Sequence, residues 1–135
     1  MAEKAKPLVV AVVNSSEDVV TLIRSVLEDE GFATVVGHVP SFKSGRDDLL
    51  AFLEAHDPAA VVFDIAPPYA DNWNFLRLVR DTKSAEGRAF VVTTTNREQL
   101  DRAVGDSGAI EIVGKPFDLQ EIVDAVKRAT GRRRG

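Results

Sequence analysis

Two side chains in this sequence stand where a charge is costly unless it is used. Asp64 directly follows the apolar run Val61-Val62-Phe63, and Lys115, fifty-one positions further on, follows a second apolar stretch and precedes Pro116. A carboxylate at the end of one buried strand and an ammonium at the end of another are what a parallel α/β sheet uses to build a charged site at its carboxyl edge. Between them, Thr93 lies near the end of a third run, Ala89 to Thr94, and offers a hydroxyl donor. Each residue also has a plainer reading. Threonines suit strands for their β propensity, a lysine before proline is at home in a surface loop, and an aspartate after Val-Val-Phe can simply end a strand. The coincidence of all three favours a site for Asp64.

The elements that must position them read off the hydrophobic pattern. Leu8 to Val13 is a nearly unbroken aliphatic run, as a buried strand requires, and Thr34 to Val39, Ala60 to Asp64, Ala89 to Thr94 and Ala109 to Val113 supply four more strands. Between them, Val19, Ile23, Val26 and Leu27 repeat at helical spacing up to the stop at Gly31. Further helices are expected over Asp48 to His56, Asp71 to Asp81, Arg97 to Val104 and Asp118 to about Thr130, with Pro40 to Gly45 read as a loop. Alternation of this kind predicts an α/β fold, a single doubly wound five-stranded parallel sheet with five helices and right-handed crossovers. The domain is expected to span residues 8–130, with residues 1–7 an N-terminal tail and 131–135 a basic C-terminal tail.

Composition narrows the class. The 135 residues carry a net charge of -4, and 44% are hydrophobic and 28% charged, as in an ordinary globular domain. The absence of cysteine excludes a disulfide framework, a thiolate zinc site and a thiol nucleophile. Net acidity argues against general nucleic-acid binding, and Arg132-Arg133-Arg134 reads as a solvated tail. No apolar run is long enough for a membrane span or forms a signal-peptide core at the N-terminus, so a cytoplasmic protein is expected.

Taken in order, the residues resemble the receiver domain of bacterial two-component response regulators. The stretch from Asp64 through Pro67, Pro68, Asp71, Phe75, Leu76 and Arg77 looks like that family's D-x-x-M-P-x-x-D-G-x-x-L-L-R segment, Val92-Thr93 matches its hydroxyl position, and Gly108-Ala109 with Lys115-Pro116-Phe117-Asp118 matches its G-A and K-P-F-D elements. The resemblance implies a flavodoxin-like fold of receiver type, with Asp64 as phosphoacceptor and Thr93 and Lys115 as its polar partners. It implies a Mg²⁺ site at Asp64, the Asn14 side chain and the Ala66 backbone carbonyl, and a cis bond at Lys115-Pro116. The physical logic is plain: transferring a phosphoryl group to a carboxylate brings anion against anion, so cations and hydroxyl donors must offset the charge.

The departures from the family pattern concentrate on the metal. Where the family places an acidic pair after the first strand, this chain has Asn14-Ser15. Mg²⁺ is a hard cation held by carboxylates and water. A unit-charge attraction at ~4 Å and an effective dielectric of ~20 is worth up to ~4 kcal/mol before desolvation. A quarter of that per missing group weakens binding roughly 10- to 100-fold across the pair. Weak or absent Mg²⁺ binding is therefore expected. Glu17 and Asp18 are the nearest acids, but they sit where first-turn helix acids belong after a capping Ser15 or Ser16. Asn72 replaces the family's glycine, Ile112 replaces its aromatic switch residue, and the segment from Gly37 to Gly45 is a few residues longer than usual. Tyr69 and Trp73 read equally as core or as pocket and partner surface.

Three functions follow. The first is an atypical receiver in a phosphorelay, accepting phosphate at Asp64 with weakened Mg²⁺ dependence, with a sensor histidine kinase or phosphotransfer protein upstream and an output protein or domain downstream. The second is a phosphorylation-independent interaction module using the helix, strand and helix that end the fold, with a homodimer as one form. The third, a flavodoxin-like cofactor enzyme, rests only on the hydroxyl-rich Asn14-Ser15-Ser16 and lacks any glycine-rich phosphate loop.

Overall fold

The five aliphatic runs become strands of one sheet: β1 Val9–Asn14, β2 Ala33–His38, β3 Ala60–Ile65, β4 Ala89–Thr94 and β5 Glu111–Gly114. The computed structural model describes residues 7–45, 48–94, 96–104, 111–114 and 119–134. The strands pair in parallel in the order β2-β1-β3-β4-β5. Around them lie α1 Glu17–Asp29, α2 Val39–Lys43, α3 Leu49–His56, α4 Tyr69–Arg80, α5 Arg97–Val104 and α6 Leu119–Arg134, with a 3-10 turn at Lys83–Ala85.

Side chains alternate across each strand and so divide the core into two layers. Ala11, Val13, Val61, Phe63, Phe90 and Val92 point to the side of α2 to α5, where Phe42, Trp73, Leu76 and Leu100 meet them. Val10, Val12, Val62 and Val91 point the other way, onto Ile23 and Leu27 of α1 and Ile122 and Val126 of α6. Burying each such large side chain contributes roughly 1.5–3 kcal/mol. The first layer is rich in aromatic rings and the second is aliphatic.

Helix α1 begins at Ser16, whose hydroxyl accepts the Val19 N–H at 3.4 Å, with Glu17 and Asp18 in the first turn. It ends at Gly31, whose φ of +96° is left-handed and lets Gly31 and Phe32 donate to the carbonyls of Glu28 and Leu27. Both ends are as the sequence predicts.

Two expectations need correction. The described residues hold six α-helices where five are predicted, because the segment read as a loop from Pro40 to Gly45 contains α2. Pro40 supplies a helical φ in its first turn. Phe42 is buried, packs edge-on against Phe52 at 5.4 Å between centroids, and lies so close to Gly37 that a Cβ there would come within 2.5 Å of its ring. Glycine at 37 is thus a packing requirement. The last helix runs on through Arg134, past the expected end near Thr130. Arginine is a good helix former, and the Thr130 hydroxyl folds back onto the Val126 carbonyl at 2.8 Å without breaking the backbone ladder.

At the amino edge of the sheet, Arg88 is 12% exposed and donates to Asp57 Oδ1 (2.7 Å), to the Pro58 carbonyl (2.9 Å) and, through Nε, to the Ser84 carbonyl (2.7 Å). It fastens the α3–β3 turn, where Asp57 is left-handed with φ 47°. Pro67-Pro68 is a cis peptide. Lys115-Pro116, where a cis bond is predicted, lies outside the described residues. No helix among the described residues is long and apolar enough to cross a membrane.

Candidate functional site at the carboxyl edge

Register brings the polar residues together. β3 and β4 pair so that Asp64 lies opposite Thr93, one position before both strands end. Asn14 closes β1, which runs between β2 and β3. This is the point at which strand order reverses, where a crevice opens at the carboxyl ends of an open α/β sheet. Asn14, Asp64 and Thr93 share the strand parity of Val12, Val62 and Val91, so alternation alone puts all three on one side of the sheet. Thr93 is fully buried and its hydroxyl donates to Asp64 Oδ1 at 2.7 Å, a charge-assisted bond that fixes the carboxylate. Strand β5 reaches the same edge, with Gly114 opposite Thr94. Lys115 itself lies outside the described residues.

The cavity beside Asp64 has a volume of about 500 Å³ and is bounded by Ser15 of the β1–α1 turn, Pro40 and Ser44 at α2, Ala66 and Pro67 of the β3–α4 turn, and Phe75 of α4. Its walls are mostly apolar, with the half-buried Asp64 as its anionic group. The α2 wall is the part that the sequence pattern misses, because Pro40 and Phe42 look like loop residues until Gly37 provides the seat for the ring.

The other predicted donors are engaged. Asn14 is 4% exposed, and its Oδ1 accepts the Ser16 N–H at 3.0 Å, closing an Asx turn that leads into α1. The Ala66 carbonyl accepts a hydrogen bond from Asn72 Nδ2 at 2.6 Å. Glu17 is not among the residues that line the Asp64 cavity and instead borders a separate cavity of about 270 Å³ with Arg24 and His38. Asp18 is exposed in the same first turn, so both acids keep the plainer helix-start role. Among the described residues, no three acids, histidines or cysteines are grouped to hold a metal.

Among the described residues this donor set suits Mg²⁺ poorly. The ion takes near-octahedral oxygen ligands, one or two of them carboxylates and several of them water. Here one carboxylate is bonded to Thr93, the amide oxygen of Asn14 serves Ser16, and the Ala66 carbonyl serves Asn72. The arrangement offers instead a carboxylate fixed by a neighbouring hydroxyl at the wall of a cavity.

Of the two aromatic residues left open by the sequence, Trp73 belongs to the core at 3% exposure, with the Arg80 guanidinium 5.5 Å from its ring centroid. Tyr69 is half-buried against that core and borders a surface hollow with Gln99 and Arg102.

The comparisons with known proteins agree with the fold. Residues 10–127 match the response regulator receiver domain. The chain is 31% identical over 120 residues to an uncharacterised 14.6 kDa protein of Leptolyngbya boryana, covering 88% of this chain and 87% of the other. It is 26% identical to the response regulator Rre1 of Synechocystis, covering 95% of this chain and 54% of Rre1, so it spans about half of that regulator. A solved structure described as a transiently phosphorylated "switch" in bacterial signal transduction superposes with a TM-score of 0.71 at 25% identity, over 94% of this chain and 97% of the other. The chain belongs to the response regulator receiver domain family, the signalling modules of two-component signal transduction.

Proposed function

We propose that this chain is an atypical receiver that accepts a phosphoryl group on Asp64 with weakened dependence on Mg²⁺ and signals by protein contact. The observation that carries the reading is the Thr93–Asp64 hydrogen bond at the mouth of an open cavity. A carboxylate oxygen of Asp64 attacks the phosphorus of a phosphohistidine, the P–N bond breaks, and the imidazole leaves with the bonding pair and is reprotonated from water. The Thr93 hydroxyl stands where it can turn from the carboxylate to an oxygen of the acyl phosphate, and Lys115 supplies the positive charge that the family resemblance assigns to it. The partners are then a sensor histidine kinase or phosphotransfer protein and a downstream output protein or domain, in the cytoplasm.

A second reading is favoured by the engagement of Asn14 and Ala66 within the fold: an interaction module that works without phosphorylation, presenting the face of α5, β5 and α6 to a partner or to a second copy. Incubation with acetyl phosphate followed by intact-mass spectrometry separates the two. The expected result is a single phosphoryl adduct on the parent chain, none on Asp64→Asn, and slower formation on Thr93→Val, which keeps the shape but not the donor. A parent chain that stays unmodified by acetyl phosphate and by phosphorylated kinase establishes the second reading in place of the first.

A further inference from the structure

The turn between β3 and α4 is built from Ala66, Pro67 and Pro68, and its two prolines have no N–H to donate. Helix α4 starts at Tyr69 after Pro68, which gives it no side-chain cap. Asn72, in its first turn, is a weak helix former, and its backbone N–H already closes onto the Pro68 carbonyl at 3.1 Å. Its side chain reaches back across the turn, and Nδ2 donates to the Ala66 carbonyl at 2.6 Å. The orientation of the amide is forced, because a carbonyl oxygen only accepts. Ala66 is exposed, so water alone would satisfy that oxygen. The side-chain bond therefore matters for geometry: it ties the first turn of α4 to the residue two positions past Asp64.

We infer that the Asn72 amide is a built-in neutral substitute for a metal ion at the Ala66 carbonyl. A cation at this carbonyl would hold the turn by drawing the oxygen toward positive charge. The amide N–H does the same from within the chain, with a partial charge and no ligand. Asn72 is then a positioning residue for the Asp64 site, and its bond makes the shape of the β3–α4 turn independent of divalent cations. The inference goes beyond the phosphoacceptor reading and is measured by different quantities, melting and metal binding, so that either can fail while the other stands.

The experiment compares the full chain with Asn72→Asp and Asn72→Ala, melting each in chelator and in excess MgCl2, with CaCl2 and matched NaCl as controls, and titrating Mg²⁺ by calorimetry. Asn72→Asp keeps the shape, removes the donor and sets a carboxylate against the carbonyl. Without metal it should melt lower than the parent by about 3–5 °C or more, the scale of one lost hydrogen bond in a domain of this size. MgCl2 should restore it, with Mg²⁺ binding tighter than the parent's. Asn72→Ala should melt lower and gain little from MgCl2. Three results overturn the inference: Asn72→Ala melting with the parent, Asn72→Asp losing stability that Mg²⁺ does not return, or the parent itself being stabilised by Mg²⁺ beyond the NaCl control. Circular dichroism of the variants before melting establishes that each is folded, and if Asn72→Asp is not, the parent titration and Asn72→Ala still decide.

Discussion

The two edges of the sheet treat charge in opposite ways. At the amino edge, the Arg88 guanidinium is nearly buried and is spent on the Asp57 carboxylate and Pro58 carbonyl of the α3–β3 turn and on the Ser84 carbonyl of the 3-10 turn. At the carboxyl edge, Asp64 is held from one side by the Thr93 hydroxyl and opens on the other to a cavity of about 500 Å³. The first arrangement is closed and serves stability. The second keeps a charged oxygen accessible, and the parts that would close it around a cation, Asn14 and the Ala66 carbonyl, are bonded to the protein's own amides. Strands of six residues separate the two edges by ~20 Å, far enough for changes at one to leave the other alone.

That separation can be broken experimentally. Arg88→Ala should cost the most, about 3 kcal/mol in a urea titration, because it leaves two turn carbonyls without their donor and Asp57 in a left-handed conformation without its tie. Phosphorylation of Asp64 should be unchanged. A large loss of phosphorylation in this variant would show the edges to be coupled.

Next in size is Gly37→Val. A side chain there meets the Phe42 ring inside contact distance, so α2 must move. Overpacking of this kind costs about 1–3 kcal/mol. Unlike the change at Arg88, it should also alter the rate of phosphorylation by small donors, since α2 forms one wall of the Asp64 cavity. Equal stability loss with an unchanged rate would separate α2 from the site.

Restoring acids sharpens the carboxyl side of the comparison. Asn14→Asp with Ser15→Asp should raise Mg²⁺ affinity roughly 10- to 100-fold, about 1.4–2.7 kcal/mol, measured by calorimetry. Aspartate at 14 can still accept the Ser16 N–H, so the Asx turn survives. Without Mg²⁺ the double variant should be less stable than the parent, because like charges then crowd the pocket of Asp64. If Mg²⁺ affinity does not rise, Asn14 is not the position that fixes the metal.

The smallest effect belongs to Lys127, which pairs with Glu30 across α6 and the end of α1 on the protein surface. The hydrogen bond to Glu30 and its charge raise the Lys127 pKa above its ordinary value of 10.5. A cation whose pKa is raised by folding contributes stability that is complete below 10.5 and is lost as pH rises through the folded-state value. Lys127→Met should therefore be slightly less stable than the parent at neutral pH, with a gap that narrows above pH 10.5 and in high salt. A gap that stays constant across that range would assign the effect to packing of the lysine stem.

Much of this was legible in the sequence because it depends on period. Aliphatic runs bounded by polar residues specify buried parallel strands, and the same alternation that hides Val62 and Val91 puts Asp64 and Thr93 on one side of the sheet. Ser16 and Gly31 mark the ends of α1 by local backbone chemistry, which needs no distant partner. The charge deficit after β1 is likewise a property of composition alone. What the linear pattern does not carry is contact between residues far apart in sequence or across a turn. Val39–Lys43 is a helix because the Phe42 ring finds Gly37 beneath it and Phe52 beside it, and Trp73 is core because the aromatic layer surrounds it. The Asn72 amide bonds the Ala66 carbonyl only once α4 has turned back over the end of β3. Periodicity determined which residues reach the carboxyl edge, whereas only tertiary packing decided which of their hydrogen-bonding groups are committed to the fold, because that depends on three-dimensional distances that no sequence spacing encodes.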